Sequence, residues 1–86
     1  MQNRWKERIT SNPNVLAGKP VIVGTRISVE FLLGCLASGR SVSQVVEEYP
    51  HIAPEDVLAA LAFSADVLRR KLYVTMSEVE ESMDLE

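Results

Sequence analysis

The chain has very little of the chemistry on which enzymes and metal sites depend. Its 86 residues include one histidine, His51, and one cysteine, Cys35. These two side chains cannot form a zinc site with the usual ligands, and a single cysteine excludes an internal disulfide. The four glycines match neither a phosphate-binding loop nor a dinucleotide-binding fingerprint. The sequence therefore predicts no metal, no cofactor and no enzymatic activity.

Long apolar runs are also missing. No stretch approaches the roughly 18 apolar residues of a membrane-spanning helix, and the first eight residues lack the apolar core of a signal peptide. Together with the single thiol, these absences favour a cytoplasmic protein without a membrane partner. A chain of this length has room for one domain and gains stability from dimerisation, so we expect a homodimer.

Charge is distributed unevenly along the chain. Residues 1–26 carry five basic residues against one acidic residue, whereas residues 73–86 carry five acidic residues and no basic one. The sequence thus divides into a basic N-terminal arm (1–8), a single domain (9–72) and an acidic tail (73–86) that we expect to be disordered. Basic segments attract nucleic acid, and acidic segments attract basic protein surfaces. Solvated chain ends explain the same distribution equally well.

A short β element is predicted over residues 9–27. Val21-Ile22-Val23 is β-branched throughout and is followed by glycine, which is typical of a strand. Ile9-Thr10-Ser11 forms a second predicted strand, and Thr25-Arg26-Ile27 a third that returns as a partner. Three residues are too few for a stable strand, so this element must pack on helices or pair with another chain.

Three helices are predicted after the β element, at about 29–37, 42–49 and 54–72. Ser28 and Ser41 carry the hydroxyl groups preferred at helix N-caps, whereas Ala53 before the third helix does not. Two short helices and a longer one, joined by tight turns, are typical of a small bundle of the homeodomain or helix-turn-helix type. The expected fold class is therefore mainly α, with the β element as an N-terminal appendage.

The third helix is longer than the two short helices can cover. We expect its distal end, around Leu68 and Leu72, to meet another subunit or the β element. Its predicted apolar stripe consists of Val57, Leu61, Ala65, Leu68 and Leu72, broadened by Leu58, Ala62 and Phe63.

If the chain binds nucleic acid, basic residues outside the third helix must make the contact. The third helix would present carboxylates and alanines to DNA, which bind it poorly. An arm or a β element that carries Arg26 could contact phosphates or a groove. A structural hydrogen bond from Arg26 to turn carbonyls is an equally good interpretation, and Trp5 is interpreted as a packing residue. The candidate DNA-binding residues are Arg4, Lys6, Arg8, Lys19, Arg26 and Arg40.

His51 and Cys35 have simple structural interpretations. His51 follows Tyr49-Pro50 and is expected in the turn between the second and third helices. Cys35 lies on an apolar helix face and is interpreted as a small core residue. A small enzyme built on either side chain is a further hypothesis, although no sequence signature supplies an oriented nucleophile.

Several short motifs occur in a recognisable order over about residues 9–65. They are Ile9-Thr10-Ser11-Asn12-Pro13, Gly18-Lys19-Pro20-Val21-Ile22, Gly24-Thr25-Arg26-Ile27, Ser38-Gly39, Tyr49-Pro50 and Pro54-Glu55-Asp56-Val57. In this order they resemble the bacterial family called domain of unknown function 433. The resemblance implies a winged-helix or homeodomain-like fold and a role as a VapB-like antitoxin beside a PIN-like ribonuclease toxin. It supplies no catalytic residue.

Two hypotheses about function follow. In the first, the chain is an antitoxin or small transcriptional regulator that binds operator DNA through its basic N-terminal part and a PIN-like toxin through its acidic tail. In the second, it is a protein-interaction module or structural homodimer that does not bind DNA. The candidate partner-binding residues are Leu68, Leu72, Glu78, Glu80 and Glu81.

Overall fold

A computed structural model of the chain describes residues 4–70 as three helices and one short antiparallel sheet. The mainly helical fold class is confirmed, and the predicted helix bounds agree closely up to the last described residue. Leu72 and the predicted acidic tail lie outside the described residues. In chain order the elements are a 3-10 turn at Arg4–Glu7, strand β1 (Ile9–Thr10), a 3-10 turn at Leu16–Gly18, strand β2 (Val21–Ile22), and helices α1 (Val29–Ala37), α2 (Val42–Glu48) and α3 (Pro54–Arg70).

The two strands form the predicted β element and contribute to the core. β1 pairs antiparallel with β2, so that Ile9 lies opposite Ile22 and Thr10 opposite Val21. Ile9 and Ile22 are buried, and Val21 is buried beside them. Strands this short are stable only because their apolar side chains pack against the helices.

The predicted third strand, Thr25-Arg26-Ile27, forms only in part. Thr25 and Arg26 lie in a turn, and the chain then returns to β2, where the Ile27 carbonyl accepts the Ile22 N–H at 3.0 Å and Ser28 bridges to Val21. The Thr25 hydroxyl donates to the Ile22 carbonyl at 2.9 Å and accepts the Ile27 N–H at 3.0 Å. Gly24 takes a positive φ of 81°, which glycine adopts without strain. The side chain of Thr25 therefore satisfies the backbone groups that a strand partner would have satisfied.

The core lies where the sheet meets the three helices, and every main element contributes to it. Cys35 is buried within this cluster, which confirms its interpretation as a small core residue. His51 is exposed in the turn between α2 and α3, also as predicted. The largest fully buried side chains are Ile22, Leu32, Val45, Ile52 and Val57.

α1 and α2 begin with the predicted caps. The Ser28 hydroxyl accepts the Phe31 N–H at 2.9 Å. Ser41 and Gln44 form a complete capping box, in which the Ser41 hydroxyl accepts the Gln44 N–H at 3.1 Å and the Gln44 amide oxygen accepts the Ser41 N–H at 2.7 Å. Local sequence thus sets the start of both helices.

α3 turns a different face to the core from the one that the sequence predicts. Leu58 and Leu61 are 57 and 41 % exposed, so their place in a stripe that faces the core is wrong, whereas Val57 of the same stripe is buried. Leu68, at the distal end that is expected to meet another subunit or the β element, is 62 % exposed. The reason is that apolar residues occupy most of the circumference of α3, so their spacing alone does not identify the face that packs against the other helices. The buried residues of α3 are Asp56, Val57, Ala59 and Ala60.

The N-terminal turn covers part of α3 instead. The rings of Trp5 and Phe63 meet edge to face, with centroids 4.8 Å apart. This geometry is favourable for an aromatic pair and confirms Trp5 as a packing residue. The described residues of the predicted arm are therefore packed on the domain, because an aromatic side chain in the arm has an aromatic partner on α3.

α3 has only half of a capping box, and this predicts a stabilising substitution. The Ala53 N–H donates to Asp56 Oδ2 at 2.9 Å, but Ala53 has no hydroxyl, and the Asp56 N–H donates to the Ala53 carbonyl at 2.9 Å instead. We expect Ala53→Ser to raise the free energy of unfolding by about 1 kcal/mol, since it completes the box. Urea denaturation measures the change. Ala37→Ser, an exposed substitution at the end of α1 that completes no cap, should give no gain; equal gains would contradict the capping explanation.

Candidate functional site

Three of the six candidate DNA-binding residues lie around one exposed aromatic ring, that of Phe31. Lys19 and Arg40 line an open cleft of about 550 Å³ together with Phe31 and Tyr49. Arg26 lines the adjoining cleft, which shares both aromatic residues. The structure thus brings together basic residues from three separate segments of the chain. We call this surface the Phe31 face; it consists of Lys19, Arg26, Phe31, Gly34, Arg40 and Tyr49.

The aromatic centre of this face is built from α1 and the end of α2. Phe31 is 44 % exposed although it is a large apolar side chain, and its ring meets that of Tyr49 edge to face with centroids 5.5 Å apart. Tyr49 is half-buried at the C-cap of α2 and so fixes the ring from one side. An exposed ring held in this way can stack on a nucleic-acid base or pack against another apolar group.

Arg26 has no structural role that the described residues reveal. The carbonyl of Ile22 in its turn is occupied by the hydroxyl and the N–H of Thr25. Within residues 4–70, the Arg26 guanidinium makes neither a hydrogen bond nor an ion pair, and the residue is exposed. The interpretation of Arg26 as a donor to turn carbonyls is therefore not supported, and its charge is available to a partner.

Lys19 and Arg40 are each paired with a carboxylate. Lys19 Nζ lies 3.2 Å from Glu30 Oε1, and Arg40 Nη1 forms an ion pair with Glu48. The Glu48 charge raises the pKa of Arg40 further above its ordinary value. Exposed ion pairs of this kind contribute only about 0–1 kcal/mol, so a phosphate group can compete with the carboxylates for both cations.

α1 carries a glycine beside Phe31 where the fold itself does not need one. Gly34 is within the helix, and no atom lies within 4 Å of the place where a Cβ would stand. An exposed glycine inside a helix costs about 1 kcal/mol relative to alanine. Packing within the described residues therefore does not account for a glycine at this position.

Strained backbone lies at the rim of the same face. Leu16 and Ala17 have positive φ angles of 49° and 57°, a conformation that costs about 1–2 kcal/mol for residues with a Cβ. The turn places the partly exposed Leu16 in the cleft that Arg26 and Phe31 also line. Strain of this kind concentrates at binding sites, so it supports a functional interpretation of the Phe31 face.

The remaining candidate residues lie apart from this face. Lys6 is exposed on the N-terminal turn, in which Arg4 also lies. Arg8 Nη1 is 3.0 Å from Asp56 Oδ1, so this guanidinium holds the chain to α3. Leu68 is exposed near the end of α3. The other candidate partner-binding residues, Leu72, Glu78, Glu80 and Glu81, lie outside the described residues.

Neither a metal site nor a membrane-spanning helix is found among the described residues. Between residues 4 and 70, no group of three or more His, Cys, Asp or Glu side chains could hold a metal ion. No helix in the same part of the chain is both long and apolar enough to cross a membrane.

The chain belongs to the family described as protein of unknown function (DUF433), whose model matches residues 9–64. The resemblance predicted from the ordered motifs is therefore confirmed at the level of the family. A protein of Sinorhizobium fredii (strain NBRC 101917 / NGR234), described as uncharacterized protein y4eO, is 37 % identical over 65 residues, which is 74 % of this chain. The match spans 29 % of that relative's length. No solved structure matches the chain.

Asp66 holds the N-terminal turn on α3 and is sensitive to acid. Its carboxylate accepts the Trp5 indole N–H at 2.6 Å and an Arg69 N–H at 2.7 Å. The hydrogen bond from Trp5, and after it the one from Arg69, lowers the pKa of Asp66 below its ordinary value of 3.8. A lowered pKa means that the folded state favours the carboxylate. The stabilisation is therefore present above the ordinary value and is lost as pH falls through the lower, folded-state value.

The emission of the single tryptophan should report this titration. On acidification below pH 3.8, we expect Trp5 fluorescence to shift to the red as protonated Asp66 releases the indole. Asp66→Asn should lack this step, because the amide has no charge to lose. Glu47→Gln, at an exposed carboxyl on α2, should titrate like the wild type. An unchanged transition in Asp66→Asn would contradict the assignment.

Proposed function

We propose that the chain is a small regulatory protein of the antitoxin type, which contacts operator DNA through its Phe31 face. The observation that carries the proposal is the convergence of Lys19, Arg26 and Arg40 around the exposed Phe31 ring. Basic side chains bind backbone phosphates, and an exposed ring stacks on bases or packs on sugars. The exposed Gly34 and the strained Leu16 turn support the same surface.

We further propose that α1–α3 form a homeodomain-like or winged-helix unit whose third helix does not read DNA. The short turn between Glu48 and Pro54 supports a helix-turn-helix arrangement. In such a unit α3 would enter the major groove, but it begins with Glu55 and Asp56. Carboxylates repel phosphate, and Asp56 already accepts bonds from within the chain. The DNA contact is therefore assigned to the Phe31 face and not to α3.

The proposed protein partner is a PIN-like ribonuclease, as the resemblance to VapB-like antitoxins implies. Acidic residues of the C-terminal segment would contact a basic surface of that toxin. Operator binding and toxin binding by one small chain are the two activities of an antitoxin, and a regulator of this kind acts in the cytoplasm.

The second candidate function is protein interaction without DNA binding. It is favoured by the carboxylates beside the Phe31 face, because Glu30 and Glu48 balance the charges of Lys19 and Arg40. Arg26 then supplies most of the local positive charge, and the whole chain has a formal net charge of −3. An aromatic cleft with one unpaired arginine also suits a peptide that carries a carboxylate.

A mobility-shift titration on the DNA upstream of the gene separates the two candidates. We expect salt-sensitive retardation that unrelated DNA does not compete away. Arg26→Ala should weaken binding about tenfold and reduce the salt slope by about one, because one phosphate contact is lost. Phe31→Ala should weaken binding without changing the slope, because stacking releases no counterion.

Arg70→Ala removes an exposed cation at the end of α3 and is the matched control. It should leave both affinity and slope unchanged. An equal loss in Arg70→Ala would show that binding depends only on overall charge and would contradict the assignment to the Phe31 face. If the wild type causes no retardation, alone or with the product of the neighbouring gene, the protein-interaction candidate is favoured.

Gly34→Ala should separate stability from binding. We expect it to raise the free energy of unfolding by about 0.5–1 kcal/mol, since alanine favours the helix and has room there. The added methyl group should nevertheless weaken DNA binding, because it stands where the partner approaches. Ser43→Ala, an exposed substitution on α2 outside the face, should stabilise the helix and leave binding unchanged. Normal DNA binding by Gly34→Ala would show that Gly34 is not at the interface.

A further inference from the structure

The exposed side of α3 carries an apolar seam with the spacing of a coiled coil. Leu58, Leu61, Ala65 and Leu68 follow one another at intervals of three, four and three residues. These are the intervals between a and d positions of a heptad. All four residues are exposed, and Leu58 and Leu68 are the most exposed large apolar side chains described. We call these four residues the α3 seam.

We propose that the α3 seam is an interface with α3 of a second copy of this chain, packed antiparallel. The seam is symmetric about its centre, so reversing the second helix places Leu58 opposite Leu68 and Leu61 opposite Ala65. Each leucine at the middle of the interface then meets a small residue, which lets the side chains interdigitate. A parallel arrangement would place Ala65 opposite Ala65 and leave a gap in the same layer.

The charges that flank the seam favour the same orientation. Glu55 and Arg69 lie on one flank, near opposite ends of α3 and two heptads apart. In an antiparallel pair, equivalent flanking positions of the two helices meet, so Glu55 lies beside Arg69 of the second copy at both ends of the interface. In a parallel pair, e positions lie beside g positions instead, so Arg69 would lie beside the uncharged Ser64 and Glu55 would have no cation beside it. Charge complementarity therefore identifies a second copy, reversed, as the occupant.

Both side chains are available for this contact. Glu55 is exposed and forms no ion pair within residues 4–70. Arg69 is also exposed and binds Asp66 through one terminal nitrogen, which leaves other N–H groups of the guanidinium free to donate. A second carboxylate can thus join Arg69 without breaking the bond to Asp66.

The middle of the interface leaves room for close packing. In the antiparallel arrangement, Ala62 of each copy lies on one flank of the crossing point and Ser64 on the other. Both side chains are small, so the helix axes can approach at the crossing angle of about 20° that is typical of heptad seams. No residue of the α3 seam belongs to the Phe31 face, so this inference does not depend on the DNA contact.

Sedimentation equilibrium of the 86-residue chain tests the interface. We expect a wild-type dimer, and Leu61→Glu should raise its dissociation constant about a hundredfold, because a charge is buried at the centre of the seam. Val23→Glu changes an apolar residue that is 51 % exposed elsewhere and should leave the dimer intact. Circular dichroism and Trp5 emission establish that each variant is folded. A monomeric wild type, or a Leu61→Glu chain that dimerises normally, would overturn the proposal.

Charge reversal tests the orientation without changing the apolar seam. Glu55→Arg and Arg69→Glu should each raise the dissociation constant about tenfold, because each brings like charges together. Mixing the two variants should restore tight association as a heterodimer, in which both end contacts are again between opposite charges. Failure of the mixture to associate more tightly than either variant alone would overturn the antiparallel arrangement. Loss of DNA binding in Arg26→Ala has no bearing on this result.

Discussion

The fold depends on one carboxylate that joins the residue before β1 to the start of α3. Asp56 is 8 % exposed and uses both oxygens: Oδ1 accepts from Arg8 at 3.0 Å, and Oδ2 accepts the Ala53 N–H at 2.9 Å. The second bond starts α3 at a position that lacks a capping hydroxyl. The first bond holds Arg8, the residue that directly precedes β1, at the start of α3. Loss of either partner would leave a largely buried charge without its compensation, which costs more than an ordinary hydrogen bond.

This constraint changes the meaning of the charge distribution. Five basic residues within the first 26 suggest a nucleic-acid-binding arm when they are counted from the sequence. In the folded chain, Arg8 compensates Asp56, and Trp5 and Asp66 fix the turn that precedes it. Arg26 is different, because the Thr25 side chain already forms the hydrogen bonds that the backbone of this turn requires. The capacity to bind phosphate therefore depends on which guanidinium groups form no ion pair or hydrogen bond within the folded chain. A count of charges in the sequence does not contain this information.

Local sequence predicted the parts of the fold that short-range interactions determine. The caps at Ser28 and Ser41 and the helix bounds depend on neighbours three or four residues away, and all of them formed. The face of α3 could not be obtained in this way, because leucine, valine and alanine occur on most of its circumference. Its orientation depends on Trp5, whose partner Asp66 is 61 residues away in the sequence. The Phe31 face was missed for the same reason: Lys19, Arg26 and Arg40 were predicted singly, and their convergence requires the tertiary fold. The exposed Gly34 within a helical pattern was the local signal that could have pointed to it.

The two proposed surfaces would reinforce each other. A dimer formed through the α3 seam presents two Phe31 faces, since the two surfaces share no residue. Each face alone has little net positive charge, because Glu30 and Glu48 balance two of its three cations. Once one face of the dimer has bound, binding of the second, linked face to the same DNA is intramolecular. This raises the overall affinity without any new interaction within a face. Under the proposed function, pairing of two chains would compensate for the weak charge of each face, and dimerisation would control whether the proposed regulator occupies an operator.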